Sequence, residues 1–167
     1  STAGVGALLM LCTPTICNIG ATRTLIDGGA GLNVLSMETF DLLHVPHGRL
    51  RPTKLIYGVV DGSTSPLGQI RLPVTFGTRD NYRTELIDFD IAHIGLPYNA
   101  ILGYLALAKF VAATHPGYNL MKMSGSSIVL TMAGDTKDVL SALKHAFRAP
   151  AAARPSKEGA AEALGAA

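Results

Sequence analysis

One aspartate of this chain stands between an apolar run and a cluster of glycines. The segment reads Leu25-Ile26-Asp27-Gly28-Gly29-Ala30-Gly31, so a short β-prone stretch ends at the acid and the glycines form a tight loop after it. A carboxylate that a strand presents in this way can exchange a proton with a reacting group. The alternative is an ordinary turn, because Asp followed by Gly is a common connection between strands.

The residues around this loop predict mainly β-structure, with short helices between the strands. Alternation of apolar and polar residues marks the strands, and Gly, Pro and Asn mark the turns. Segments 15–18 and 22–27 predict a hairpin whose second strand carries Asp27 to the loop. The predicted strands are 6–12, 15–18, 22–27, 55–60, 68–76, 83–91, 118–123 and 127–132, and the predicted short helices are 37–43 and 105–113.

Length and composition predict one compact, all-β domain. The 167 residues include 48% apolar and 16% charged residues with 18 glycines, which is typical of a loop-rich β protein. We divide the chain into an N-terminal entry segment (1–12), a β domain (13–132), a C-terminal amphipathic helix (133–147) and a disordered tail (148–167) that is rich in Ala, Gly and Pro.

Charge and cysteine content argue against several classes of partner and cofactor. The net charge of +2 comes with scattered Lys and Arg residues and no basic aromatic groove, which argues against nucleic-acid binding. The apolar opening has no basic residue before it and is interrupted by Pro14, so no membrane span is predicted. Cys12 and Cys17 lack histidines at zinc-finger spacing, and no metal or other cofactor is expected.

Other candidate catalytic residues have weaker support than Asp27. None of the five histidines lies in an HExxH pattern and no serine lies in G-x-S-x-G, which disfavours metal-dependent and serine hydrolases. Asp61 precedes a glycine at a hairpin tip and is expected to form a turn. Asp88 and Asp90 share one face of a predicted strand, where we expect both carboxylates to be solvated at the surface.

A second pattern, two large apolar residues and a glycine, leads into a predicted helix as Ile101-Leu102-Gly103. Together with Asp27-Gly28-Gly29-Ala30 it resembles the paired motifs of retroviral-type aspartic proteases, in which an Asp-Thr/Ser-Gly-Ala/Ser loop packs beside an apolar-apolar-Gly strand. The resemblance is closer still to the protease region of plant gypsy-type LTR retrotransposon polyproteins. The segments "LIDGG", "YNAILG" and "LALAKF" follow that pattern in order, within a resemblance that spans about residues 13–132.

This resemblance implies a closed, acid-protease-like barrel with one or two short helices and the activity of an aspartic endopeptidase. Hydrolysis of a peptide bond without a metal or a covalent intermediate needs two close carboxylates that share a proton. The chain has one loop of this kind, so a two-fold homodimer is expected to pair Asp27 with its equivalent in another copy. The implied substrate is the element's own polyprotein, cut at extended apolar sites in a cytoplasmic, intracellular particle.

The resemblance also assigns roles to groups of residues. Asp27 is implied to be the catalytic acid, steadied by backbone N–H groups of Gly29 and Ala30. The hairpin between the two motifs is implied to be a flap with a polar, mobile tip that closes over the substrate and excludes water. The active-site loop is Gly28, Gly29 and Ala30, the supporting second motif is Ile101, Leu102 and Gly103, and the flap is Tyr57, Gly58, Val59, Val60, Asp61, Gly62, Ser63 and Thr64.

The sequence departs from the retroviral pattern at three positions. Gly28 replaces a Thr or Ser whose hydroxyl bonds across the two-fold axis, which weakens the implied dimer by about 1 kcal/mol per bond. The same glycine recurs in plant elements of this type. Gly31 and Tyr104 replace an acid and an arginine that pair within the subunit. These departures leave an alternative function: a catalytically inactive remnant that serves as a dimerisation or peptide-binding module.

Overall fold

The structure is a computed structural model that describes residues 7–53, 67–94 and 97–134. Within these ranges the chain forms eleven strands, two α-helices and two short 3-10 helices. The strands are β1 (Leu9–Cys12), β2 (Thr15–Ile16), β3 (Ile19–Gly20), β4 (Thr24–Asp27), β5 (Val34–Ser36), β6 (Gly68–Thr78), β7 (Asn81–Ala92), β8 (Ala100–Leu102), β9 (Ala113–His115), β10 (Leu120–Ser124) and β11 (Val129–Ala133), the α-helices are α1 (Met37–Leu42) and α2 (Tyr104–Lys109), and the 3-10 helices are His47–Arg49 and Pro116–Tyr118.

Eight of the strands form one curled sheet. Their order is β1-β4-β8-β5-β7-β6-β2-β3, and the remaining three form a small sheet in the order β11-β10-β9. In the large sheet β4 runs parallel to β8 and β5 runs parallel to β7, whereas the other described pairs are antiparallel. The strand that ends at Asp27 therefore lies between the entry strand and the strand of the second motif.

The inner face of the curled sheet holds the hydrophobic core. Along β6, Ile70, Leu72, Val74 and Phe76 are buried while Arg71 is exposed, as the period-two alternation of the sequence predicts. Each such buried side chain contributes about 1.5–3 kcal/mol to folding. The core also includes residues of both helices and of the small sheet, among them Phe40, Ala106, Phe110, Met121, Met123 and Leu130.

The two short helices begin where the sequence provides a suitable first residue. The Ser36 side chain accepts the N–H of Thr39 at 3.1 Å and so caps α1. Helix α2 begins after Gly103 and is held against the sheet by an edge-to-face contact between Phe110 and Phe76, whose ring centroids are 4.9 Å apart. Both helices pack on the sheet that carries Asp27.

The predicted pairing of segments 15–18 and 22–27 in one hairpin is wrong. Strand β2 pairs with β3 through a tight turn at Cys17, whose φ is 55°, and β4 pairs instead with β1, with Leu9 opposite Asp27. The chain needs a second reversal after Gly20, which Arg23 supplies with a φ of 51°. This second reversal separates β3 from β4, so the acid strand pairs with the entry strand.

The remaining predicted elements divide into those found, those altered and those outside the described residues. Helix α2 ends at Lys109 rather than at residue 113, because Val111 has a φ of 50° and Ala113 begins strand β9. The last strand pair is found as β10 and β11, with β9 added to it. The first strand and tip of the 55–76 hairpin, the helix beyond Gly134 and the tail lie outside the described residues.

The all-β fold with short helices is confirmed. The large sheet curls around one core as a half-barrel, with β1 and β3 as its edge strands in the described part of the chain. Among the described residues, no helix has the length and apolar character to cross a membrane.

Candidate active site

Asp27 is the last residue of β4, at the point where the strand leaves the core. Leu25 and Ile26, directly before it, are buried, and Asp27 itself is partly exposed. Its neighbour across the ladder, Leu9 of β1, is also exposed. The buried pair fixes the strand end, so the carboxylate is presented at the surface from a rigid support.

The loop after Asp27 is held by three backbone N–H groups. Gly28 N–H donates to the carbonyl oxygen of Leu8 at 2.8 Å, which ties the loop to the entry segment. Gly29 N–H donates to Oδ1 of Asp27 at 3.0 Å. Ala30 N–H donates to the backbone carbonyl of Asp27 at 3.1 Å rather than to the carboxylate. One backbone donor therefore orients the Asp27 side chain, and the other two fix the backbone that carries it.

The first two glycines of the loop are not in the left-handed region. A Cβ on Gly28 would lie 3.2 Å from the Leu8 nitrogen, and one on Gly29 would lie 3.4 Å from Asp27 Oδ1. The tight loop after the acid therefore forms without a positive φ at either position. At Gly28 the entry segment approaches closely, so a side chain there requires a shift of a few tenths of an ångström at Leu8.

The second motif lies directly beside the acid loop. In the parallel ladder of β4 and β8, Leu25 pairs with Ile101 and Ile26 pairs with Leu102. Gly103 follows at the level of the loop, where an added Cβ would collide with the carbonyl oxygen of Ala30 and lie 2.6 Å from that of Leu32. The structure thus brings the two predicted motifs together, and glycine at 103 is required by this contact.

Asn33 is a site residue that the sequence reasoning missed. Its Oδ1 accepts the N–H of Gly103 at 2.9 Å, and its Nδ2 donates to the carbonyl oxygen of Asp88 at 3.3 Å. The Asn33 side chain is buried and satisfied on both sides, so it joins the acid loop, the second motif and β7. The available signal was one amide residue inside the apolar run Leu32–Leu35.

Asn99 is a second missed residue, at the other end of the second motif. Its Nδ2 donates to the carbonyl oxygen of Thr22 at 2.6 Å, and its backbone N–H donates to that of Arg23 at 3.0 Å. Its own carbonyl accepts the N–H of Ser36 at 2.8 Å. Asn99 therefore aligns the beginnings of β4 and β8 with the end of β5, and this alignment contributes to the level at which Gly103 meets the acid loop.

Tyr98 places a buried phenol within electrostatic reach of Asp27. The residue is buried, and its hydroxyl has no hydrogen-bond partner among the described residues. Burial raises the pKa of the Tyr98 phenol, and the negative charge of Asp27 raises that pKa further. The phenol is therefore neutral at physiological pH, and its hydroxyl is a hydrogen-bond donor that no other described residue uses.

Of the two competing acids, Asp88 lies at the surface as the sequence predicts, and Asp90 does not. Asp88 is exposed, and its Oδ1 accepts a hydrogen bond from Nε of the Arg71 guanidinium at 2.9 Å. Asp90 is buried, contrary to expectation, and its Oδ1 accepts the hydroxyl of Thr53 at 2.9 Å. The alternation of buried and exposed residues along β7 stops at Phe89. Phe89, Asp90 and Ile91 are all buried, at a point where β7 lies between two neighbouring strands. Both carboxylates thus have structural partners.

The described residues contain no site suited to metal binding or to cysteine chemistry. There, no group of three or more His, Cys, Asp and Glu residues is placed to hold a metal ion. Cys12 and Cys17 are both free thiols. Burial raises the pKa of Cys12 to about 12, so this thiol stays protonated and unreactive. The flap residues Tyr57 to Thr64, including Asp61, lie outside the described residues.

Comparison with known proteins identifies the fold. No protein-family model matches the chain, and no curated protein matches it. The chain superposes on the retroviral protease-like domain of Ddi1 from Leishmania major with a TM-score of 0.53 at 16% identity, over 76% of this chain and 97% of that one. It superposes on a retropepsin-like aspartic protease from Rickettsia conorii with a TM-score of 0.50 at 17% identity, over 77% of this chain and 92% of that one. The fold is therefore retropepsin-like.

Proposed function

We propose that this protein is an aspartic endopeptidase. The observation that carries the proposal is the position of the Asp27 carboxylate: at the end of a buried strand, partly exposed, and held by the Gly29 N–H at 3.0 Å. This loop packs on the second motif through Gly103, as the resemblance implies. The retropepsin-like fold supports the same class of chemistry, since the Rickettsia structure is described as an aspartic protease.

The proposed mechanism requires two Asp27 carboxylates, one from each of two copies of the chain. The ionised carboxylate takes a proton from water, and the resulting hydroxide attacks the carbonyl carbon of the peptide bond. The protonated carboxyl group donates a hydrogen bond to the carbonyl oxygen. Collapse of the tetrahedral intermediate transfers a proton to the leaving nitrogen and breaks the C–N bond, which yields a carboxylate and an amine.

A homodimer is supported by the apolar surface around Asp27. Leu9 is 38% exposed opposite the acid, and Tyr104 and Leu105 are 51% and 52% exposed at the start of α2. Tyr104 is linked to the acid loop because its N–H donates to the Ala30 carbonyl at 2.9 Å. An isologous contact across a two-fold axis at this surface buries these side chains and brings the two carboxylates together.

The finer parts of the proposal concern the substrate and its setting. We propose that the substrate is an extended polypeptide with apolar residues around the cleaved bond, and that it belongs to the polyprotein of a gypsy-type retrotransposon. The cleavage then takes place inside the cell, in the particle that the polyprotein forms. These parts are based on the "LIDGG", "YNAILG" and "LALAKF" segments of the sequence.

The test is peptide cleavage by the wild-type chain and by Asp27→Asn. A library of unstructured peptides with apolar residues is incubated with each protein, and the products are identified by mass spectrometry. Asp80→Asn is the matched control, because it makes the same change at an exposed turn between β6 and β7. We expect cleavage by the wild type and by Asp80→Asn, and none by Asp27→Asn.

Two other outcomes decide against this proposal. Equal cleavage by all three proteins would place the reaction elsewhere or in a contaminant. Tight peptide binding without cleavage by the wild type would favour the inactive module that serves in dimerisation or peptide binding.

A further inference from the structure

A cavity separate from the Asp27 loop is lined by three arginines. Its volume is about 300 Å³, and its lining residues are Arg49, Arg51, Gln69, Ile70, Arg71 and Asp88. We propose that this cavity binds a phosphate monoester dianion. The proposal does not depend on peptidase activity, because neither Asp27 nor its loop lines the cavity.

The backbone under the cavity is fixed by close contacts. Arg51 and Gln69 form a two-way β-bridge: Arg51 N–H donates to the Gln69 carbonyl at 2.9 Å, and Gln69 N–H donates to the Arg51 carbonyl at 2.7 Å. Gly68, directly before, has a φ of 155°, and a Cβ there would lie 2.7 Å from the Arg51 carbonyl oxygen. The bridge holds Arg51 and Gln69 side by side, so their positions are set before any ligand binds.

The charges that line the cavity are unbalanced. Arg71 pairs with Asp88 through Nε and Nη2, at 2.9 and 3.3 Å, which leaves its Nη1 available. Arg49 and Arg51 form no ion pair within the described residues. Three guanidinium groups against one carboxylate leave a charge of +2 around the cavity. A dianion neutralises this charge, and its binding relieves the repulsion between the arginines.

The chemistry of the lining favours phosphate over a single carboxylate. Guanidinium groups donate parallel pairs of hydrogen bonds to phosphate oxygens, and Arg49, Arg51 and the free Nη1 of Arg71 can each contact the same group. The Gln69 amide adds a neutral donor. A volume of about 300 Å³ exceeds that of the phosphate group, and Ile70 provides an apolar wall for the ester carbon atoms.

The first experiment measures binding of inorganic phosphate and of phosphoserine to the full chain by NMR and by thermal unfolding. Sodium chloride at matched ionic strength controls for general screening. We expect both phosphates to raise the melting temperature of the protein more than chloride does. In the NMR titration we expect the amide signals of Gln69 and Ile70 to shift at the lowest phosphate concentrations. Tighter binding of phosphoserine identifies an ester as the preferred source, and equal binding identifies free phosphate; both support the site.

The second experiment compares Arg49→Gln/Arg51→Gln with the control Arg79→Gln, which removes an exposed arginine outside the cavity. We expect the double variant to bind phosphate about tenfold or more weakly, and the control to bind as the wild type does. Equal effects of phosphate and chloride, or equal phosphate affinity in the double variant, would overturn the proposal. If the double variant does not fold, the wild-type NMR shifts decide: shifts that do not include Gln69 and Ile70 refute the site.

Discussion

The side-chain carbonyl of Asn33 accepts the backbone N–H of Gly103 at 2.9 Å, in the buried space between the acid loop and the second motif. This bond joins residues 70 positions apart in the sequence. Gly103 also touches the carbonyl oxygens of the acid loop so closely that no side chain fits. The level of β8 relative to Asp27 is thus set at Gly103 by one hydrogen bond and one close approach, and at the other end of the strand by the hydrogen bonds of Asn99.

Gly103→Ala is expected to destabilise the fold. The added Cβ collides with the Ala30 carbonyl and approaches that of Leu32 to 2.6 Å, so the loop or β8 must move. We expect the free energy of unfolding to fall by about 1–3 kcal/mol, as in other overpacked interiors. Urea denaturation measures it. Gly117→Ala is the control, because a Cβ at Gly117 meets no atom within 4 Å, and a similar loss there would contradict this explanation.

Tyr98→Phe is expected to leave the fold as stable as the wild type or to stabilise it, by up to about 1 kcal/mol. The reason is that the Tyr98 hydroxyl is buried with no hydrogen-bond partner in the part of the chain that the structure describes, so its removal eliminates a desolvation cost without breaking a hydrogen bond. Tyr82→Phe is the control, since Tyr82 is 47% exposed. Thermal unfolding of the three proteins tests this. A clear loss of stability in Tyr98→Phe alone would mean that the hydroxyl has a partner in solution.

The Arg71–Asp88 pair predicts a pH effect of known sign. The hydrogen bond from Arg71, aided by its charge, holds the pKa of Asp88 below its ordinary value. A carboxyl group with a lowered folded-state pKa stabilises the fold above its unfolded pKa, and this contribution is lost as the pH falls through the folded value. In Arg71→Gln, NMR titration is expected to show the Asp88 pKa shifted upward. An unchanged Asp88 pKa would mean that the ion pair does not form in solution.

Several elements of the fold follow from local sequence patterns. The alternation from Ile70 to Phe76 gave strand β6, because residues two apart face the same side of a strand. The helix at Met37 was predicted from its apolar spacing, and the structure supplies Ser36 as its cap. The position of Asp27 at a strand end follows from the apolar run before it and the glycines after it.

The parts that depend on distant partners were not predictable from one sequence. Strand β4 pairs with β1 rather than β2, and two apolar strands close in sequence offer no local preference between those partners. Asn99 bonds to Thr22, 77 positions away, and no spacing rule connects the two. Continued alternation along β7 predicts Asp90 at the surface, whereas Asp90 is buried because β7 is covered on both sides at that point. Register and burial are properties of the assembled sheet.

The last prediction concerns Gly28 and rests on the proposed homodimer. Gly28 is outside the left-handed region, and a Cβ there would lie 3.2 Å from the Leu8 nitrogen, so Ser fits after a small adjustment. If the two loops face each other, Gly28→Ser adds two symmetric hydrogen bonds of about 1 kcal/mol each, and the dimer dissociation constant falls roughly tenfold or more. Gly28→Thr should gain less, because its methyl group crowds Leu107, whose Cδ1 is 3.7 Å from that Cβ.

Sedimentation equilibrium of wild type, Gly28→Ser and Gly28→Thr at matched concentrations measures this order. Gly48→Ser is the control, because a Cβ at Gly48 meets no atom within 4 Å and the residue lies in the 3-10 helix His47–Arg49, outside the acid loop. A general effect of added hydroxyls on association would appear in this control as well. If Gly28→Ser dimerises no better than the wild type while remaining folded, the two acid loops do not meet across a two-fold axis, and the second carboxylate must come from another source.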